Sequence, residues 1–192
     1  MSTTNTTTFR SFTAQDAPAG SQPLLEGIAK KYGGVPNLFA KFAASPALLE
    51  AYGAIGDIYN RSSNFDASER QVVLISTSVE NGCTYCVAAH STISGMEGVP
   101  ADVVTALRDG TPLPTARLEA LRTFTLAVVT KRGWVEDADL QAFFAAGFEE
   151  AHVLDVILGV GLKTLSNYTN HVTSPELDAG FQPQAWTAPT GA

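Results

Sequence analysis

The fold class of this chain turns on one stretch, VVLISTSV at residues 72–79. It is rich in β-branched residues and is the one segment that could be read as a strand. Periodicity alone does not separate a strand from a buried helix over so short a run. The surroundings do. Asp66-Ala-Ser-Glu69, just upstream, has the spacing of a capping box, in which the first side chain bonds the amide three residues on and the glutamate bonds back. Elsewhere there is no convincing hairpin and no repeating strand–helix alternation, so a strand here would have no partner. The expectation is an all-α chain.

Helix punctuation extends that reading. Pro23 to Tyr32 is amphipathic and stops at Gly33-Gly34. Pro36-Asn37 opens a short helix with Leu38, Phe39 and Phe42. Ser45-Pro46 pairs an N-cap with a proline at the first helical position and launches a helix to about Tyr59. Pro100 to Leu107 is closed by Gly110, about Thr115 to Lys131 ends at Gly133, and Asp137 to Phe148 and about Glu149 to His171 complete the set. Residues 1–20, rich in Thr and Ser, read as a mobile tail. A single helical domain is expected over 21–178, and an extended C-terminal arm holding Phe181 and Trp186 over 179–192.

At 192 residues, 45% hydrophobic, the chain can build one sizeable core. Its net charge of -7 argues against a nucleic-acid partner, since Lys30-Lys31 is too small a basic patch. No apolar run reaches the roughly 20 residues of a membrane span. The first 20 residues hold no signal-peptide core, so a soluble cytoplasmic protein is the default. The glycines form no phosphate-binding loop, and no cofactor is expected.

The chemistry concentrates in VENGCTYCVAAHS, residues 79–91, which holds the only two cysteines. In a reducing compartment such a pair is more often catalytic or metal-binding than a structural disulfide. On a helix Cys83, Cys86 and His90 fall within an arc of roughly 60°. Gly82 lets the chain turn and puts the pair at a helix N-terminus, where unpaired amides and the dipole favour thiolate over a free thiol of pKa about 8.5. Zinc is a competing reading, with His152 and His171 as the remaining candidate ligands, and simple packing of two small apolar side chains is another. Covalent haem attachment is excluded by Val87, and a thioredoxin-like setting lacks its βαβ unit.

Glu80-Asn-Gly-Cys83-Thr-Tyr-Cys86-Val-Ala-Ala-His90-Ser91 resembles the signature of the carboxymuconolactone decarboxylase superfamily, in its alkylhydroperoxidase D-like (AhpD-like) branch. Gly34-Val-Pro-Asn-Leu-Phe39, Ser45-Pro-Ala-Leu-Leu-Glu50 and Lys163-Thr-Leu-Ser-Asn167-Tyr-Thr-Asn170-His171 resemble other parts of it, so the similarity covers roughly 20–178. The resemblance implies an all-helical fold assembling as trimers or hexamers, with the CxxC at the head of a helix. It implies that Cys86 attacks a small hydroperoxide, that Cys83 resolves the sulfenic acid, and that His90 shares a proton relay with a glutamate on the preceding helix. A dithiol or protein reductant would restore the thiols. At the relay position this chain has Gln71, which neither accepts nor releases a proton. Glu80, one turn before Cys83, is the expected substitute, while Glu69 fits the capping box. Tyr85 is either a weak acid at the site or a packed ring, and Asn167 and His171, four apart on a late helix, are second-rank candidates. The function expected is a thiol-dependent peroxidase or disulfide oxidoreductase. A lyase acting on a small carboxylate and a non-catalytic metal-binding module are the alternatives.

Overall fold

The computed structural model describes residues 9–188, whose regular structure is all helical, with no strand among them. Nine α-helices follow in order: α1 (Gln22–Tyr32), α2 (Asn37–Phe42), α3 (Pro46–Ser62), α4 (Ala67–Glu80), α5 (Thr84–Met96), α6 (Ala101–Asp109), α7 (Ala116–Thr130), α8 (Asp137–Ala145) and α9 (Glu150–Thr173). A 3-10 helix at Ala179–Gln184 ends the described chain.

The ambiguous run is the middle of α4. The capping box is present: Glu69 N–H donates to Asp66 Oδ1 at 2.8 Å and Asp66 N–H to Glu69 Oε2 at 3.2 Å. Gln71 through Ser78 are all buried, because α4 is the central helix and packs against α5, α6, α7 and α9. A helix enclosed on every side needs no polar face, which is why its sequence carries no 3.6-residue rhythm. Its hydroxyls fold back onto the backbone, Thr77 Oγ1 to the Val73 carbonyl at 2.8 Å and Ser78 Oγ to the Leu74 carbonyl at 2.7 Å. Those bonds make the burial of two hydroxyls tolerable.

The core has two parts. The larger gathers α4 with α6 to α9, around Val72, Ile75, Leu121, Phe124, Phe143 and Val156. The smaller gathers Leu25, Leu38, Phe42 and Leu49 with Cys83, Tyr85, Cys86 and Ala89. The chain ends cover this second part. Of the segment read as a tail, residues 1–8 lie outside the described residues, and 9–20 lie along α2. Phe12 N–H bonds the Ala40 carbonyl at 3.0 Å, and Ala17 is buried. An Asp16 side chain accepting from Thr13 N–H at 2.7 Å folds this polar stretch into a turn.

At the other end, Tyr85 Oη donates to Asp178 at 2.5 Å and Phe181 packs edge-on against the Tyr85 ring. Arg108 donates to the Gln184 and Ala185 carbonyls at 3.0 Å each, and Trp186 Nε1 donates back to the Arg108 carbonyl at 3.0 Å. The expected arm is therefore a strap over α5 and α6 as far as residue 188, and 189–192 lie outside the described residues. No described helix is long and apolar enough to cross a membrane.

Candidate active site

Three residues turn α4 into α5. Gly82 takes the left-handed conformation (φ 66°), and the Gly82 and Cys83 amides donate to the Val79 and Ser78 carbonyls, each at 2.9 Å. Cys83 thereby becomes the N-cap of α5 and Cys86 lies in its first turn. Both thiols are free and buried, at 1% and 2% exposure.

The opposing wall is one face of α9. Lys163, Ser166, Asn167 and Asn170 recur at i, i+3, i+4 and i+7, and all four are buried. Asn170 Nδ2 donates to Cys86 Sγ at 3.1 Å and lies 3.6 Å from Cys83 Sγ, so one amide touches both sulfurs. Cys86 Sγ is 3.8 Å from Ser166 Oγ. Asn167 holds the wall in place, accepting from Asn81 Nδ2 at 2.9 Å and donating to Ser78 Oγ at 3.4 Å.

Lys163 is 1% exposed and pairs with no carboxylate among the described residues. Burial is the largest single influence and works against its ammonium, but the negative Cys86 sulfur, Tyr52 and Cys83 together outweigh it, so its pKa is raised. The two thiols split. Burial pushes Cys86 up, but the Cys83 hydrogen bond, the Lys163 charge, and the Ser166 and Asn167 side chains together hold it well below the ordinary thiol value. Donating that hydrogen bond, together with burial, pushes Cys83 up. These shifts favour the thiolate at Cys86 and the thiol at Cys83, with the Lys163 charge acting on both.

His90, one turn beyond Cys86, is held neutral: burial lowers its pKa most and the Lys163 charge lowers it further. Its Nδ1 lies 3.0 Å from Gln71 Oε1, and Gln71 Nε2 donates to Glu97 Oε2 at 3.0 Å. Glu80, the expected relay acid, is exposed at the end of α4 and lines a shallow depression with Leu107, Glu119 and Arg122. No hydrogen bond among the described residues joins it to His90 or to either sulfur. The physical reason is the Gly82 turn, after which α5 no longer continues the face that carries Glu80.

The other expected residues are spread. Glu69 completes its capping box and accepts from Arg117 Nε at 2.7 Å. Tyr85 is a packed ring whose hydroxyl anchors the strap. His171 is exposed beside Tyr168, and His152 Nδ1 accepts the Glu149 amide at 3.0 Å. No three His, Cys, Asp or Glu side chains gather at metal-binding distance among the described residues. Sequence reasoning missed Lys163, Ser166 and Asn170 as site residues, along with Glu97. The available signal was four polar residues at helical spacing on the side of α9 that the apolar pattern assigns to the core.

The sequence profile of the Carboxymuconolactone decarboxylase family matches residues 46–123, which include the CxxC and His90. No curated protein sequence matches the chain. Among solved structures it is similar to a peroxidase-related protein with an alkylhydroperoxidase AhpD core from Ralstonia eutropha JMP134. The TM-score is 0.79 at 23% identity, covering 91% of this chain and 95% of that one. A peroxidase-related protein from Silicibacter sp. TM1040 gives a TM-score of 0.76 at 21% identity, covering 94% and 97%. The debrominase Bmp8, as a variant bound to 2,3,4-tribromopyrrole, gives 0.78 at 16% identity, covering 94% and 96%. The profile over 46–123 makes this part of the chain similar to the Carboxymuconolactone decarboxylase family, and the helical architecture over nearly its whole length is the AhpD-like fold.

Proposed function

We propose that the chain is a thiol-dependent peroxidase, or a disulfide oxidoreductase of that type, working through Cys86 and Cys83. The observation that carries this reading is the buried Cys86 sulfur facing the Lys163 side of α9, with Asn170 donating to it at 3.1 Å. A thiolate, not a thiol, is the competent nucleophile. Cys86 attacks the terminal oxygen of a small hydroperoxide. The O–O bond breaks, an S–O bond forms, and the departing alkoxide takes a proton from the Lys163 ammonium, which solvent then restores. Sulfur is oxidised by two electrons to sulfenic acid and the peroxide is reduced to an alcohol. Cys83 then attacks the Cys86 sulfur: the disulfide forms, the S–OH bond breaks, and hydroxide leaves as water with the Cys83 proton, moved by neutral His90. A dithiol or protein reductant returns both thiols by exchange.

The test is consumption of an organic hydroperoxide with a dithiol donor by the wild type and Cys86→Ser. Turnover is expected for the wild type and loss of it for the variant, and undiminished turnover in Cys86→Ser overturns the reading. A second reading is favoured by the TM-score of 0.78 to a debrominase, which lies between the 0.79 and 0.76 of the two peroxidase-related proteins. The same thiolate would take bromine from an electron-rich ring, the ring carbon would take a proton, and Cys83 would expel bromide as the disulfide closes. Bromide release from a bromopyrrole without hydroperoxide turnover selects it. A decarboxylation that survives alkylation of both thiols selects the lyase alternative instead.

The chain is further proposed to self-associate. Leu154, Ile157 and Tyr168 are exposed on the side of α9 opposite the site-facing residues, as a rotation of about 100° per residue places them. Light scattering on the purified protein tests it, and a monomer at micromolar concentration overturns it.

A further inference from the structure

A glutamine stands where a proton relay needs an acid, and its two hydrogen bonds say what it does instead. Gln71 is 2% exposed on α4 and bridges His90 of α5 and Glu97, the residue that caps it, seven positions and so about two turns apart. Glu97 is exposed at the C-terminal cap of α5. An ionised carboxylate only accepts hydrogen bonds. The Gln71 side chain must therefore turn its NH₂ toward Glu97, leaving its carbonyl oxygen facing His90 at 3.0 Å. A carbonyl also only accepts, so the His90 nitrogen it meets, Nδ1, must carry a hydrogen.

We propose that Glu97 is a positioning residue: by fixing the direction of the Gln71 amide it holds His90 as the Nδ1–H tautomer, leaving Nε2 as the ring's one proton acceptor. Because the ring is neutral, it has a single proton to place, and Glu97 decides where. An amide passes no proton along, so the chain from Glu97 to His90 orients without conducting. Every proton that His90 handles enters and leaves by Nε2, on the side not engaged by Gln71. The catalytic use of that nitrogen rests on the thiol chemistry proposed above, while the tautomer itself does not.

The test is long-range proton–nitrogen correlation on the full chain labelled with nitrogen-15 histidine, His90 being assigned by loss of its signals in His90→Gln. The wild type is expected to show a protonated Nδ1 and a bare Nε2. In Glu97→Gln the new side chain both donates and accepts, so the Gln71 amide loses its preferred direction and the second tautomer appears. Glu97→Ala is expected to do the same. Glu97 is exposed, so melting curves should match the wild type and exclude misfolding. Hydroperoxide turnover is expected to fall several-fold in both variants. A bare Nδ1 in the wild type, or unchanged tautomers in both variants, overturns the positioning role. A tautomer that responds in a protein with no hydroperoxide turnover upholds that role and overturns the peroxidase reading alone.

Discussion

Lys163 is the residue on which the chemistry of the site depends most. A lysine at 1% exposure is stable only if something negative or strongly polar meets it, and here that group is the Cys86 sulfur. Replacing it with methionine keeps the volume and removes the charge. The Cys86 pKa is then expected to rise by about 1–3 units, the usual effect of a close opposite charge. The pH dependence of Cys86 alkylation, in a Cys83→Ala background, reads this directly, and an unchanged profile would show that Lys163 is not the counter-ion. The fold should survive, because without the lysine Cys86 takes up a proton and no unpaired charge is left buried. Lys163 also shows where sequence reading stopped. Cys83, Cys86 and His90 lie within one helix and share a face by local spacing alone. Ser166 and Asn170 reach the sulfurs across sequence separations of 80 and 84 residues, and no local pattern announces such a pairing. Glu80 is close to the pair in sequence, and the Gly82 turn makes that closeness uninformative.

Among the elements, α9 carries the opposing wall, and its seating on α4 is set by one glycine. A Cβ at Gly159 would stand 2.7 Å from Val73 Cγ1 and 2.9 Å from Tyr59 Oη, inside van der Waals contact with two buried groups. Gly161, two residues on, is exposed and has nothing within 4 Å. Gly159→Ala is therefore expected to cost about 1–3 kcal/mol as α9 is forced off α4. Gly161→Ala is expected to gain up to about 1 kcal/mol from helix propensity. Thermal melts of the two variants should move in opposite directions, and a matching shift would refute the packing argument. In sequence the two glycines of GVGL look alike, since propensity knows nothing of Val73. The same limit explains α4, whose capping box identified its start while its apolar run stayed ambiguous. Local signals mark where helices begin and end. Which face is enclosed, and by what, belongs to the tertiary structure.

For the molecule as a whole, the site lies in the smaller part of the core, and its protonation is thereby tied to global stability. His90 is held neutral by burial first and by Lys163 second, so its folded pKa lies below the unfolded value of about 6.5. Below that pH the unfolded chain binds a proton that the folded chain refuses. The part of the stability that His90 controls is thus intact above about pH 6.5 and falls with acidification, by up to about 1.4 kcal/mol per pH unit, until the folded pKa is passed. The Cys86 thiolate contributes in the same sense, since a depressed acid loses its stabilising effect as pH falls through its folded pKa. Asp16 and Asp139, which are lowered chiefly by their hydrogen bonds to Thr13 and Lys131, act only at still lower pH. Denaturant midpoints followed from pH 7 to pH 5 should therefore decline, and His90→Gln should flatten that decline by about one proton's worth of slope. The part left over in His90→Gln reports Cys86 with its lysine, and it should shrink when Lys163→Met is added. If the wild type and His90→Gln lose stability in parallel over this range, His90 is not held neutral, and the proton bookkeeping at the thiol pair would have to be rebuilt around a charged imidazole.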